Sequence, residues 1–305
     1  MTFLELTQTL LYDKKNYKGI FDSLHMLHEF YAGITGISAE QTTDGNIMLP
    51  AGKAISPGQA ANCLLDLQRT VVFMRGIHKA ILKLQQEFSG QPIHILYAGC
   101  GPYATLLTPI TTLFSAKDIR LHLMDVQQRS VDAIKLLYEK MNALDYVESF
   151  TCADATVYKL ETPVHLAITE TMQSALAKEP QVAIMQNIIP QLPDKSIFIP
   201  ERIAVTAQLV NRELESQSFL AEGSKPERIN LGEVYAISRH NCLPPASATI
   251  VLPDPITAHN ELHLITEIDV FEDEKLGIYD CGVTLPVKMM NVDEAAGKKI
   301  EFTYE

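Results

Sequence analysis

Apolar positions recur at helical spacing through the first part of the chain, at Phe3, Leu4, Leu6, Leu10 and Leu11 and again at Phe21, Leu24, Leu27 and Phe30. Residues 1 to about 35 therefore read as helix. A looser polar stretch rich in glycine, threonine and proline runs from Gly36 to Gly58. A second helix is predicted from Ser56 or Pro57 to Gln86, its apolar stripe made by Leu64, Leu67, Val71, Met74, Ile77 and Leu82.

After Ser89-Gly90 the pattern shortens. His94 to Ala98 is a compact strand signal ended by Gly99-Cys100-Gly101, with Leu106 to Phe114 as the following helix. Arg120 to Met124 is the next strand and ends at Asp125; Ser130 to Leu144 is an amphipathic helix. Val147 to Cys152 is a third strand, ending before Asp154, and His165 to Ile168 a fourth, feeding Glu170. Strands alternating with helices at this spacing predict an α/β unit with a parallel sheet and helices on both faces.

The character changes near Pro200. Ile203 to Leu209, Glu261 to Val270 and Lys299 to Tyr304 alternate with period two, which predicts antiparallel strands with one buried face. The organisation expected is a helical segment over 1–60, an α/β domain over 61–200 and a β-rich domain over 201–305. The chain shows no internal repeat and no low-complexity tract.

At 305 residues the chain can form two domains, or one with a large appendage. Its formal charge of −12 argues against a nucleic-acid partner, which would want a basic surface, and is compatible with a cationic substrate. No apolar run reaches the roughly 18 residues of a membrane span, and the start lacks the basic and apolar regions of a signal peptide. The five cysteines are scattered, so free thiols in a reducing, cytoplasmic setting are the simplest account. His25 with His28, and His259 with His263, lack a nearby third ligand, and no metal is expected.

The chemistry concentrates in the middle of the chain. Gly99-Cys100-Gly101-Pro102-Tyr103-Ala104 follows a strand and precedes the predicted helix, so the backbone can approach a ligand closely and a helix N-terminus would offer unpaired N–H groups. Asp125 ends the next strand, where a carboxylate can accept ribose hydroxyls, and Asp154, after the third, is in reach of an adenine edge. Two cofactors fit this order of parts. A nicotinamide dinucleotide would lay its pyrophosphate over Pro102, which has no N–H to donate. S-adenosylmethionine gives both acids a role and is favoured.

Glu170 and Glu179 stand nine positions apart. At about 100° per residue, one straight helix would hold them on opposite faces. They converge only if the chain loops between them, and Pro180 favours such a break. Two carboxylates closing on one cationic group make a recognition and acid/base device. Met172 between them, and Tyr97 and Tyr103 near the turn, are further candidates to line the pocket or to pack beneath it.

At this point the chain resembles the class I S-adenosylmethionine-dependent methyltransferases, and within them the protein arginine methyltransferase group. Asp66-Leu-Gln-Arg69-Thr70-Val-Val-Phe73 is similar to that family's Asp-x-x-Arg-Thr-x-x-aromatic helix, Ile95 to Gly101 to its cofactor turn, Glu170 and Glu179 to its double-glutamate loop, and Ser196 to Ile203 to the strand leading into its β domain. The resemblance spans about 60 to 210. It implies a Rossmann-like methyltransferase sheet with N-terminal helices and a C-terminal β-rich domain. It also implies S-adenosylmethionine held by Arg69, Gly99, Gly101, Asp125 and Asp154, Arg69 pairing with its carboxylate. Glu170 and Glu179 are implied as catalytic and substrate-binding residues; Tyr103, by its position beside the turn, is expected on the substrate side as well. There are departures: Tyr97 stands at an acid's position, Tyr103 replaces the last glycine of the turn, and with no tryptophan the family's Thr-His-Trp motif is missing.

The leading expectation is a methyltransferase acting on a nitrogen nucleophile, a guanidinium or amine, in a small molecule rather than a protein. Attack on the aminocarboxypropyl arm of the same cofactor, or its cyclisation, releasing methylthioadenosine, is the alternative chemistry. A non-catalytic scaffold with the same fold is a third reading, and a nicotinamide enzyme a more distant fourth. A homodimer remains open, because the family's dimerisation arm has no clear counterpart in the chain.

Overall fold

The computed structural model describes residues 2–38, 45–220 and 226–304, with the side chains of 219 and 220 left out; part of the polar stretch from Gly36 to Gly58, residues 39–44, lies outside them. The N-terminal helical reading resolves into two helices, α1 (Phe3–Tyr12) and α2 (Tyr17–Thr35). Thr2 and Glu5 form a reciprocal cap on α1, each side chain accepting from the other's backbone N–H. The polar run Asp13-Lys-Lys-Asn16 supplies the interruption, and Asn16 restarts the chain by accepting from the Gly19 N–H at 2.9 Å. Past α2 a short antiparallel hairpin, β1 (Ile47–Leu49) and β2 (Gly52–Ala54), turns through Pro50 and Ala51.

The second predicted helix is also divided. α3 (Pro57–Asn62), capped by Ser56, passes through one 3₁₀ turn and stops at Asp66, and α4 (Leu67–Glu87) follows. Asp66 has ψ of 92°, outside helical geometry, and its Oδ2 accepts from the Gly282 N–H at 3.0 Å. A contact with the far end of the chain thus replaces a helical turn that periodicity alone would continue.

The central sheet contains β3 (Ile93–Ala98), β4 (Ile119–Asp125), β5 (Val147–Cys152), β6 (Leu166–Thr169) and β7 (Ile197–Ile199) in the order β5-β4-β3-β6-β7, all parallel. α5 (Gln128–Lys140) packs on β4 and β5, and α6 (Gln181–Ile188) on β6. No α-helix forms over Leu106 to Phe114: the chain winds through turns to a 3₁₀ segment at Pro109–Thr112. Ala104, at φ of 41°, is left-handed, and Pro109 has no N–H to carry a helix forward. The helix N-terminus expected beside the glycine turn is therefore replaced by irregular turns.

Beyond Ile199 the chain enters an antiparallel sheet. β8 (Arg202–Val210) pairs with β9 (Arg228–Ser238) and, across its other edge, with β11 (Glu261–Phe271). β12 (Glu274–Leu276) and β13 (Val287–Asn291) extend β11, while β10 (Ser247–Val251) and β14 (Lys299–Thr303) form a separate pair. A helix that the β-rich expectation omitted, α7 (Arg212–Leu220), follows β8. One apolar core runs from Leu6 to Ala295. Gly76 lets α4 seat on β11: a Cβ there would meet Val270 Cγ1 at 2.7 Å. Among the described residues no helix is long and apolar enough to cross a membrane.

Candidate active site

At the carboxyl ends of β3, β4, β5 and β6 the sheet opens into a cleft. Its position follows the rule that open parallel sheets bind ligands beyond the ends of their strands. Arg69, Gly99, Gly101, Asp125, Asp154, Glu170 and Glu179 all line it.

Gly99 and Gly101 have φ of 73° and 65°, a region costly for any other residue. A Cβ on Gly99 would meet Thr171 Cγ2 at 2.3 Å, and one on Gly101 would meet the Ala60 Cβ at 3.2 Å, so the first position has no room for a side chain and the second little. Asp125 fixes the turn: its Oδ2 accepts from the Gly101 N–H at 2.9 Å and its Oδ1 from the Gln127 N–H at 2.8 Å. Burial raises this carboxyl to about 6 against the pull of those N–H groups. Asp154 folds its own turn, Oδ1 accepting from the Thr156 N–H and hydroxyl at 2.9 and 2.7 Å.

Arg69, in the first turn of α4, donates from Nη2 to Glu170 Oε2. The two side chains keep only 12% and 7% of their exposure, so water screens the pair little. Burial works against the guanidinium charge, but Glu170 more than offsets it and holds Arg69 above its usual value. Burial lifts the Glu170 carboxyl to about 7, with Arg69 opposing and Glu179 reinforcing the shift. Glu179 is raised too, by burial first, with a bond from Gln173 opposing. Arg69 Nε and Glu170 Oε1 are both buried without a partner.

The two glutamates come together because the chain loops. β6 ends at Thr169, and Ala175, Leu176 and Lys178 take left-handed φ of 56°, 55° and 66° before Pro180 begins α6. Such backbone persists only where its surroundings hold it. Thr266 Oγ1 accepts from the Ala175 N–H at 2.7 Å, and the Ser174 hydroxyl donates to the Gly282 carbonyl at 3.1 Å. From the hairpin, the Lys53 N–H donates to the Lys178 carbonyl at 2.6 Å. Gln181, fully buried, accepts from the Thr171 N–H at 2.9 Å and so fixes the residue after Glu170.

Tyr103 does not reach the cleft. It is fully buried, donates its hydroxyl to the Ile37 carbonyl and packs on Tyr31 with ring centroids 5.2 Å apart. Its expected substrate contact is replaced by a core role, because the Tyr103 ring turns away from the glycine turn toward α2. Met172 is buried outside the lining as well. Tyr97 does line the cleft, its phenol held protonated by burial and by nearby Glu170. Lys53, Cys63 and Thr171 also line it and were not singled out from sequence. The hairpin that brings Lys53 carries a signal that could have been read: Pro50-Ala-Gly52 between two short apolar runs is a turn. Among the described residues no group of three or more histidine, cysteine, aspartate or glutamate side chains is arranged for a metal ion.

A parallel sheet ending in this cleft, followed by an antiparallel β region, is the architecture of the arginine methyltransferase structures. The PRMT1 enzyme–prozyme heterotetrameric complex of Trypanosoma brucei, with AdoHcy, aligns at TM-score 0.54 and 12% identity over 81% of this chain and 86% of that one. Protein arginine methyltransferase 10 of Arabidopsis thaliana, in an open conformation, aligns at TM-score 0.53 and 10% identity over 82% and 98%. No protein-family profile matches the sequence, and no curated protein does. What these identities share with the chain is the fold.

Proposed function

We propose that the chain is an S-adenosylmethionine-dependent methyltransferase acting on a nitrogen nucleophile, a guanidinium or amine carried by a small molecule. One observation carries this reading: Arg69 and the two glutamates share a cleft with the glycine turn and its two acids, and Arg69 Nε and Glu170 Oε1 are buried there unpartnered. An orphan guanidinium N–H suits an anionic group such as an amino-acid carboxylate, and an orphan carboxylate oxygen suits a cation.

The residues fit the cofactor. Gly99 and Gly101 admit close approach, Asp125 and Asp154 offer acceptors for ribose and base, and Arg69 would hold the carboxylate. When bound, S-adenosylmethionine supplies a methyl group on a sulfonium, open to in-line displacement. Glu170 and Glu179 would hold the acceptor's cationic nitrogen and orient it towards the cofactor side of the cleft, an amine giving up its proton before it attacks and a guanidinium as it attacks. The proton leaving that nitrogen goes to Glu170 Oε1, the oxygen that Arg69 does not occupy; burial has raised this carboxyl to about 7, close to the working pH of a general base.

The β1–β2 hairpin, bonded to the loop between the glutamates through Lys53, lines the cleft beside them, which supports a small acceptor. Self-association belongs to the same reading, supported by the heterotetrameric assembly of the trypanosome complex; sedimentation of the purified chain tests it.

Calorimetric titration with S-adenosylmethionine and S-adenosylhomocysteine, followed by mass spectrometry of mixtures with amines and guanidines, tests the function. Binding and release of adenosylhomocysteine support methyl transfer. Methylthioadenosine in its place would redirect the reading to the cofactor's aminocarboxypropyl arm. Binding of neither ligand would overturn the enzyme reading.

A further inference from the structure

A second groove adjoins the cleft, walled by Gly52 of the hairpin, Leu176 and Glu179 of the glutamate loop, Ala183 of α6, and Tyr235 and Tyr304. Two features set it apart from an ordinary surface crease. The rings of Tyr235 and Tyr304 stack with centroids 4.5 Å apart and planes 21° from parallel, giving the groove an aromatic wall. Glu179 lines both this groove and the cofactor-side cleft, so a ligand lying on the tyrosines has a carboxylate at its end that belongs to the active site.

The wall is tied to the loop it serves. The Tyr304 hydroxyl donates to the Leu176 carbonyl at 3.4 Å, three residues before Glu179. The hairpin contributes to both spaces, with Lys53 in the cleft and Gly52 in the groove. The partition between them is thus the strand of backbone that carries Glu179.

We infer that this groove is the subsite for the body of the acceptor, and that the acceptor is a flat apolar or aromatic molecule bearing its cationic nitrogen on a short chain. A cation alone needs only the glutamates, whereas a stacked pair of tyrosines rewards a π-face or apolar body. The inference rests on the methyltransferase reading for what happens at the nitrogen, but the groove's preference is measurable without turnover.

The test is calorimetric titration of the full chain with 3-phenylpropylguanidine and n-propylguanidine, with and without saturating S-adenosylhomocysteine. The phenyl probe is expected to bind about tenfold more tightly, the worth of one good aromatic contact. Tyr304→Ala removes half of the aromatic wall and Ala183→Phe fills the groove from α6. Each is expected to bring that ratio below about threefold while leaving the S-adenosylhomocysteine affinity within about twofold. A ratio near one in the unmodified chain, or a preference that survives both substitutions, overturns the subsite. Absence of S-adenosylhomocysteine binding, with the probe ratio intact, would sink the methyltransferase reading and leave the groove assignment standing.

Discussion

Arg69 and Glu170, from α4 and from the end of β6, share one charge-assisted hydrogen bond while each keeps a second buried polar atom unbonded. The proposed cofactor carboxylate site and the proposed acceptor site are therefore two ends of one ion pair. A change at either end is felt at the other, which separates the two glutamates experimentally.

Glu179→Gln is expected to leave the affinity for S-adenosylhomocysteine within about twofold while lowering turnover by about a hundredfold or more, the usual worth of a positioned acid/base group. Glu170→Gln is expected to do more. It weakens the acceptor of the Arg69 Nη2 donation, and so loosens the guanidinium proposed to hold the cofactor carboxylate. Calorimetry and urea unfolding of both variants check this, and equal effects on cofactor binding would contradict the division of labour.

The raised carboxyls give a signed dependence on pH. Glu170 at about 7 and Asp125 at about 6 lie above their ordinary values of 4.5 and 3.8, so the folded chain binds more protons than the unfolded one in between. Their contribution to stability is complete below the ordinary values and is lost as pH rises through about 6 to 7. Denaturant unfolding is expected to show lower stability at pH 8 than at pH 5, with a shallower slope in Glu170→Gln. Turnover has the opposite sense, rising about tenfold per unit towards pH 7, because only the ionised Glu170 can accept a proton.

Gly99→Ala brings together a left-handed backbone and a Cβ 2.3 Å from Thr171 Cγ2. The conformation alone costs about 1–2 kcal/mol, before the clash is added. Thr171→Ser deletes the clashing methyl but keeps the hydroxyl that bonds Gln181. A double-mutant cycle on stability is expected to show Thr171→Ser recovering part of the Gly99→Ala loss; simple additivity would mean that the two do not meet.

Gly52→Ala acts on the other side. Its φ is 138°, and a Cβ would meet the Lys178 carbonyl oxygen at 2.9 Å and Glu179 C at 3.0 Å, backbone that cannot swing aside. The hairpin must lift from the glutamate loop. The expected result is a fall in kcat/KM for the acceptor of about tenfold or more, the scale on which misplacing a binding group by an ångström acts. S-adenosylhomocysteine affinity, measured in parallel, is expected to change far less.

The first four strands of the parallel sheet were legible because each ends at, or within two residues of, a glycine or an acid, and because the order glycine turn, Asp125, Asp154 and Glu170 repeats the order of strand ends. The loop between the glutamates was legible from their spacing and Pro180. What sequence could not carry was decided at long range. The break at Asp66 is made by Gly282, 216 positions away. The burial of Tyr103 is made by Tyr31 and the Ile37 carbonyl. The missing helix after the glycine turn depends on a left-handed Ala104, which nothing in its identity announces. The hairpin was too short for periodicity to register.

The loop that carries Glu179 is held from distant parts of the chain. Its tethers to Thr266, Gly282 and Tyr304 bridge separations of 91, 108 and 128 residues, and the tether to Lys53 reaches back towards the N-terminus. Each of these contacts closes a long loop of chain, and together they draw on the hairpin, on β11, on the segment before β13 and on the residue after β14. The position of the second carboxylate is therefore set by four distant stretches of sequence at once, so a substitution in any of them can reach the acidic pair without touching it.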